Sequence, residues 1–246
     1  MATSQLVRLE KVKVLFEGFK ALDVEDFGVE ESELRVLIGP NGAGKTTLCD
    51  VISGKTRATE GKVYFEGQDI TQLPEEEISR KGVGRKFQTP TIFDSLTVYE
   101  NMELALPGRR KVFQNFVRKA GKAEQDLIME TLDRVGLSAQ SSLWSKYLSH
   151  GQRQWLEICM LMVQNPKLLL VDEPAAGLTD EETELTGELL LELAGKHTII
   201  VIEHDMDFVR QLDKTVTVLN EGKILCEGSV KKVQADERVI EAYLGR

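Results

Sequence analysis

The sequence is poor in cysteine, has no excess of positive charge and contains no long apolar run. Its three cysteines, Cys49, Cys159 and Cys226, are odd in number, far apart and without metal-ligand spacing. That excludes a disulfide framework and predicts free thiols in a reducing cytosol. Asp and Glu outnumber Lys and Arg by 40 to 31, a formal net charge of -9. A surface of that sign repels polyanions, so a general nucleic-acid coat is excluded. The longest apolar runs, such as residues 168–171 and 198–202, are strand length, far below the ~20 residues a membrane helix needs. Nor does MATSQLVRLEKV carry the basic start and apolar stretch of an export signal. The expectation is a cytoplasmic chain whose membrane span, if it works at a membrane, comes from other chains. Internal repeats, low-complexity tracts and long linkers are also missing.

What is there can fold. A hydrophobic content of 41% over 246 residues suffices to bury a core, in one large domain or in a core with an inserted subdomain. Residues 6–16 and 21–29 mix apolar residues with charges around a Glu17-Gly18 break, which predicts an antiparallel pair with one wet face. Residues 35–38 read as a buried strand that runs into a glycine-rich loop, and 45–53 as a helix. Strands are expected at 62–66 and 83–87, with an acidic helix from Pro74 to Lys81 between them. From 97 to 163 the pattern turns helical, with helices at 97–106, 123–135 and 153–163. A basic stretch around Arg109, Arg110, Lys111, Arg118 and Lys119 reads as a solvated face. After Pro166, strands at 168–171, 198–202 and 215–219 alternate with helices at 180–193 and 230–243. Such alternation implies a mainly parallel sheet covered on both faces.

Residues 39–46, GPNGAGKT, fit GxxxxGK[ST] between a predicted strand and a predicted helix. There Gly39, Pro40, Asn41, Gly42, Ala43 and Gly44 can wrap phosphate oxygens with backbone N–H groups, Gly42 and Gly44 allowing close approach. Lys45 would reach the β and γ phosphates, the Thr46 hydroxyl would ligate magnesium, and Thr47 completes the contact set. The expected substrate is ATP with Mg2+. Residues 168–173, LLLVDE, form an apolar strand ending in two acids, an expensive place for charge unless a cation or hydrogen bonds compensate. Asp172 would bind magnesium, directly or through water. Glu173 would polarise the attacking water as general base. Residues 147–152, YLSHGQ, precede a helical run. Their serine and glycine offer a hydroxyl and N–H groups to an anion, or form an ordinary N-terminal cap.

Phosphate loop, Gln88, LSHGQ, LLLVDEP and His204 in VIEHD follow in an order and spacing that resembles the nucleotide-binding subunit of ABC transporters along essentially the whole chain. The implied fold is an α/β P-loop, RecA-like core with a mainly parallel sheet, an N-terminal antiparallel β subdomain and an inserted α-helical signature subdomain. In residue terms that is one domain over 1–246, with core and β subdomain at 1–96 and 164–246 and helices at 97–163. Members of the family pair head to tail, so Ser149, His150, Gly151 and Gln152 would contact ATP held by the partner. The resemblance makes Phe16 the aromatic that stacks on adenine, Gln88 a contact to magnesium and the attacking water, His204 the switch at the γ-phosphate and Asp180 a partner-contacting residue. Taken singly, Phe16 could be ordinary core, Gln88 a loop cap and His204 structural. Two departures stand out. LSHGQ puts His150 where the family has glycine, which suggests a pH-dependent contact at the dimer interface, and GLTD at 177–180 replaces the usual serine-alanine-leucine-aspartate.

Within the family, KALDVEDFGV, GRKFQTPTIFDSLTVYENMELAL and VIEAYLGR resemble the importer group for branched-chain amino acids and for urea or short amides. LSHGQRQWLEI and GLTDEETE look more like the urea-type subunits, with branched-chain amino acids as the alternative solute. The implied partners are a second ATPase subunit, identical or related, two membrane permease subunits docking at 88–100, and indirectly a solute-binding protein, with this chain itself at the cytoplasmic face of the membrane. A soluble ABC ATPase is the rival class. It is disfavoured by the single compact cassette and the acidic balance.

Overall fold

Alternation builds the first sheet. Strands β1 (Gln5–Phe16) and β2 (Phe19–Glu30) pair antiparallel, with Val12 opposite Val24 and Val7 opposite Val29. Glu17 and Gly18 turn the chain with left-handed backbone, φ 48° and 89°. Strands β4 (Glu60–Phe65) and β5 (Gln68–Asp69) extend this to the order β2-β1-β4-β5. In this computed structural model, residues 5–86, 92–107 and 120–244 are described.

The second sheet holds β3 (Leu34–Ile38), β6 (Val83–Lys86), β7 (Leu168–Asp172), β8 (Thr198–Ile202), β9 (Thr215–Asn220) and β10 (Lys223–Gly228) in the order β10-β9-β3-β8-β7-β6. All its pairings are parallel except that of β10 with β9. Every residue of β3, β7 and β8 is buried, as their unbroken apolar runs require of strands covered on both faces. Alternate residues divide between two cores. Leu168, Leu170 and Ile200 join the apolar cluster of the first sheet and helix α1 (Lys45–Ser53). Leu169, Val171 and Ile199 pack with α6 (Asp180–Ala194), α7 (Met206–Leu212), α8 (Val230–Gln234) and α9 (Glu237–Leu244). The short α2 (Glu75–Arg80) follows Pro74 as anticipated. A third cluster, confined to residues between Ile92 and Val163, joins α3 (Val98–Ala105), α4 (Lys122–Arg134) and α5 (His150–Met162).

Two expectations needed correction, and two elements were not anticipated. Helix α5 starts at His150, not at 153, because Ser149 and Gln152 form a reciprocal capping box that makes Ser149 the N-cap. The single C-terminal helix is two: α8 ends at Gln234, and the Asp236 carboxylate accepts from the Arg238 N–H at 3.0 Å to start α9. Strand β10 and helix α7 went unread, since both are short and lack strong periodicity. Phe87, Gln88 and the basic stretch at 109–119 lie outside the described residues.

Register then fixes the site. Leu37 of β3 and Asp172 of β7 both pair with Ile202 of β8, so three strand ends lie side by side at the carboxyl edge of the sheet. Gly39, Glu173 and Glu203 leave that edge together. It is the edge where open α/β sheets bind ligands.

Candidate nucleotide site

The loop after β3 is shaped by glycine where nothing else fits. Gly39 has φ 152°, and a Cβ there would lie 2.2 Å from the Leu219 carbonyl oxygen. Gly44 has φ 99°, with the Ala21 oxygen 2.8 Å from a Cβ position, whereas Gly42, φ 79°, faces open space. Outer strands brace the loop: the Gly222 N–H donates to the Ala43 oxygen at 3.0 Å, and the Asp23 N–H to the Gly222 oxygen at 2.7 Å. Among the described residues no side chain caps α1, whose N-cap is Gly44 and whose first turn holds no acid. Its N-terminal N–H groups and dipole therefore point at the loop, an arrangement suited to phosphate.

Lys45 is buried, and its ammonium donates to the Gly39 oxygen at 2.7 Å and the Pro40 oxygen at 3.1 Å. Burial lowers its pKa, while Glu173 and Asp172 pull it back up. Thr46 is exposed beside it, and Thr47 is half-buried. Asp172 ends β7 at 5% exposure, with its Oδ1 buried and, among the described residues, without a hydrogen-bond partner. Burial raises its pKa against the opposing charge of Arg85. A buried carboxylate oxygen with no donor fits a hard divalent cation, whose preferred ligands are oxygens. Glu173 has left-handed backbone, φ 47°, uncommon for a side chain other than glycine. Its N–H donates to the Ile202 oxygen at 3.0 Å. Its Oε1 stands 3.7 Å from Nδ1 of His204, whose side chain is 61% exposed.

The signature segment lies against a different part of the chain. Ser149 Oγ accepts from the Gln152 N–H at 3.2 Å, and Gln152 Oε1 accepts from the Ser149 N–H at 3.0 Å. The His150 ring turns to its own chain: Nε2 is 3.1 Å from the Ala176 oxygen and 3.0 Å from Gln154 Nε2. Asp180 opens α6 behind its cap Thr179 and shares the wall of a cleft of about 640 Å³ with Glu203 and His204.

Residues 22–176 match the ABC transporter family, and residues 223–246 match the branched-chain amino acid ATP-binding cassette transporter family. The chain belongs to the ABC transporter family. A probable branched-chain amino acid transport ATP-binding protein, LivG of Archaeoglobus fulgidus, is 34% identical over 98% of this chain and 96% of its own length. Among solved structures, a nucleotide-free ATP-binding cassette from an ABC transporter superposes with a TM-score of 0.86 at 32% identity, covering 98% of this chain and 100% of that one. A dimeric cassette in a post-hydrolysis state, bound to ADP and Pi, superposes with a TM-score of 0.78 at 26% identity over 91% of this chain and 98% of its own. The cassette is thus an ATPase coupled to transport.

The cassette brings together the loop residues, Asp172, Glu173 and His204. Phe16 ends β1 at 49% exposure opposite Phe19, so it is not core. Its hairpin lies close to the loop, since Ala21 of β2 approaches Gly44. Sequence reading passed over Glu203. It closes the apolar run TIIVIE as Asp172 closes LLLVD, so the same signal, an acid ending a buried strand, was there to find.

Proposed function

We propose that this cassette is the ATP-hydrolysing subunit of a branched-chain amino acid importer. The observation that carries the ATPase assignment is the meeting of an uncapped helix, a partnerless buried Asp172 oxygen and the Glu173–His204 pair at adjoining strand ends. ATP binds with its phosphates in the loop Gly39 to Thr46, where Lys45 exchanges the Gly39 and Pro40 oxygens for phosphate oxygens. Magnesium, bound with ATP, would be held by Thr46 and Asp172, with Gln88 beside them, and would offset charge on the phosphates. Glu173 orients the attacking water and accepts its proton; His204 contacts the γ-phosphate. Phe16 stacks on adenine. Ser149, His150, Gly151, Gln152 and Asp180 serve the nucleotide of a second cassette, and the dimeric relative in its ADP and Pi state supports such a pairing.

The match of residues 223–246 and the relative's amino-acid transport name favour amino acids over the urea or short amides suggested by LSHGQRQWLEI. We place the cassette at the cytoplasmic face of the membrane, paired with a related second ATPase and with two permease subunits served by a solute-binding protein. No helix among the described residues is long and apolar enough to cross a membrane. Residues 97–163 form the helical subdomain, as their separate apolar cluster supports. For docking around 88–100, Glu100 is a poor probe, because its carboxylate caps α3 through Thr97 at 2.7 Å. Phe93, 54% exposed, is the better one. Uptake of leucine and of urea in cells lacking this chain tests the solute: loss of leucine uptake alone is expected, and loss of urea uptake alone would overturn it.

A further inference from the structure

Glu203 is 1% exposed at the end of β8, and its two carboxylate oxygens serve different loops. Oε1 accepts the Ala175 N–H at 3.0 Å, on the turn that follows Glu173. Oε2 accepts the His204 N–H at 3.1 Å and the Asp205 N–H at 3.5 Å, on the turn that carries the His204 ring. The Glu203 N–H in turn donates to the Leu37 oxygen at 3.1 Å, two residues before the phosphate loop. Among the described residues, these bonds make one buried side chain the bridge between the turn of the general base and the turn of the histidine.

We propose that Glu203 is a positioning residue that sets the separation of Glu173 from His204. Charge-assisted bonds from N–H to a buried carboxylate are stronger than neutral ones, and here they add to the Glu173 N–H to Ile202 oxygen bond in holding the two turns together. Burial raises the Glu203 pKa, and the three amides oppose that rise, as expected of a carboxylate kept for its hydrogen bonds. The 3.7 Å between Glu173 Oε1 and His204 Nδ1 is spanned by no direct hydrogen bond. Their spacing depends on the two backbones that carry them, and Glu203 fastens both. This inference rests on the assignment of Glu173 and His204 to hydrolysis.

A double-mutant cycle tests it, using the full chain at concentrations where the rate per molecule no longer rises. Glu203→Gln keeps the volume but weakens the bridge, and should lower kcat about tenfold with ATP affinity unchanged within about twofold. In a His204→Ala background the same change should cost less than about twofold, because there is no separation left to set. A purely structural role would add equally in both backgrounds. Equal losses would overturn the inference alone. A normal rate in His204→Ala would overturn the assignment beneath it and the inference with it. Should Glu203→Gln not fold, Glu203→Asp withdraws the carboxylate by one methylene and is read in the same cycle.

Discussion

Helices α1 and α5 both begin in short polar segments containing glycine, yet their first turns are finished differently. At α1 the N-cap is a glycine in left-handed conformation without a side-chain cap, and among the described residues the Lys45 ammonium donates to loop carbonyls. At α5 the start is closed by Ser149 and Gln152, and His150 is engaged with Ala176. An uncapped N-terminus costs stability that a bound phosphate can return. A capped one is stable alone and contributes only what its cap leaves over. Ser149 Oγ uses its oxygen to accept from Gln152, which leaves the hydroxyl hydrogen for an outside acceptor. The contrast suits the proposed site built in halves, in which α1 would wait for its own nucleotide and α5 would be finished before a partner's nucleotide arrives.

The largest effect should separate chemistry from binding. Glu173→Gln removes the proposed base while keeping the side chain's shape, and is expected to lower turnover by about 10²–10⁴ with ATP still bound. Gel filtration of this variant with ATP should show an accumulated dimer. Turnover near the wild-type rate would remove Glu173 from the mechanism.

Next comes the same substitution in the two glycine segments. Gly39→Ala drives a methyl group into the Leu219 carbonyl at φ 152°, and backbone cannot step aside as a side chain can. It should cost about 1–3 kcal/mol of stability and most of the ATP affinity. Gly151→Ala meets the Glu182 carboxylate, a movable group, at 2.4 Å. Helix propensity gains about 1 kcal/mol there, while disturbing the Thr179–Glu182 cap loses a similar amount. Near-neutral thermal stability is therefore expected for Gly151→Ala, and equal damage at both positions would contradict the contrast.

Ser149→Ala is subtler. Loss of the cap should lower stability by about 1 kcal/mol. If the signature serves a partner's nucleotide, the rate per molecule should fall at high protein concentration while ATP affinity of the dilute chain stays unchanged. A weaker ATP affinity of the dilute chain would place Ser149 at its own nucleotide instead.

How legible these regions were in sequence depends on how local their physics is. The loop, α1 and the buried strands are written in contiguous residues: glycines, a lysine, runs of Val, Ile and Leu. The capping boxes Thr97–Glu100 and Thr179–Glu182 are equally local. Most of what escaped was set by tertiary contact, the exception being the local break before α9, where Asp236 binds Arg238 two residues on. Strand β10 exists because β9 offers it an edge. The inward turn of His150 depends on a loop 26 residues away. Glu203 was readable as an expensive buried acid, but the two turns it joins become neighbours only once β7 and β8 pair.

The last comparison reads each helix through a thiol of its own. Cys49 lies on α1 and Cys159 on α5, both fully buried, with burial pushing each thiol up to about 12. Neither can react at neutral pH unless its helix opens, so the labelling rate reports the opening free energy of each region. A ligand that binds only the closed site slows labelling by about 1 + [L]/Kd, or near a hundredfold at a hundred times Kd. With ATP on the Glu173→Gln variant, Cys49 should be protected to that extent. Cys159 should be unaffected if the helices of 97–163 open as a unit around their own apolar cluster. Equal protection of both thiols would mean that α5 opens only when the whole chain unfolds, and that the two halves of the site are not separate folding units.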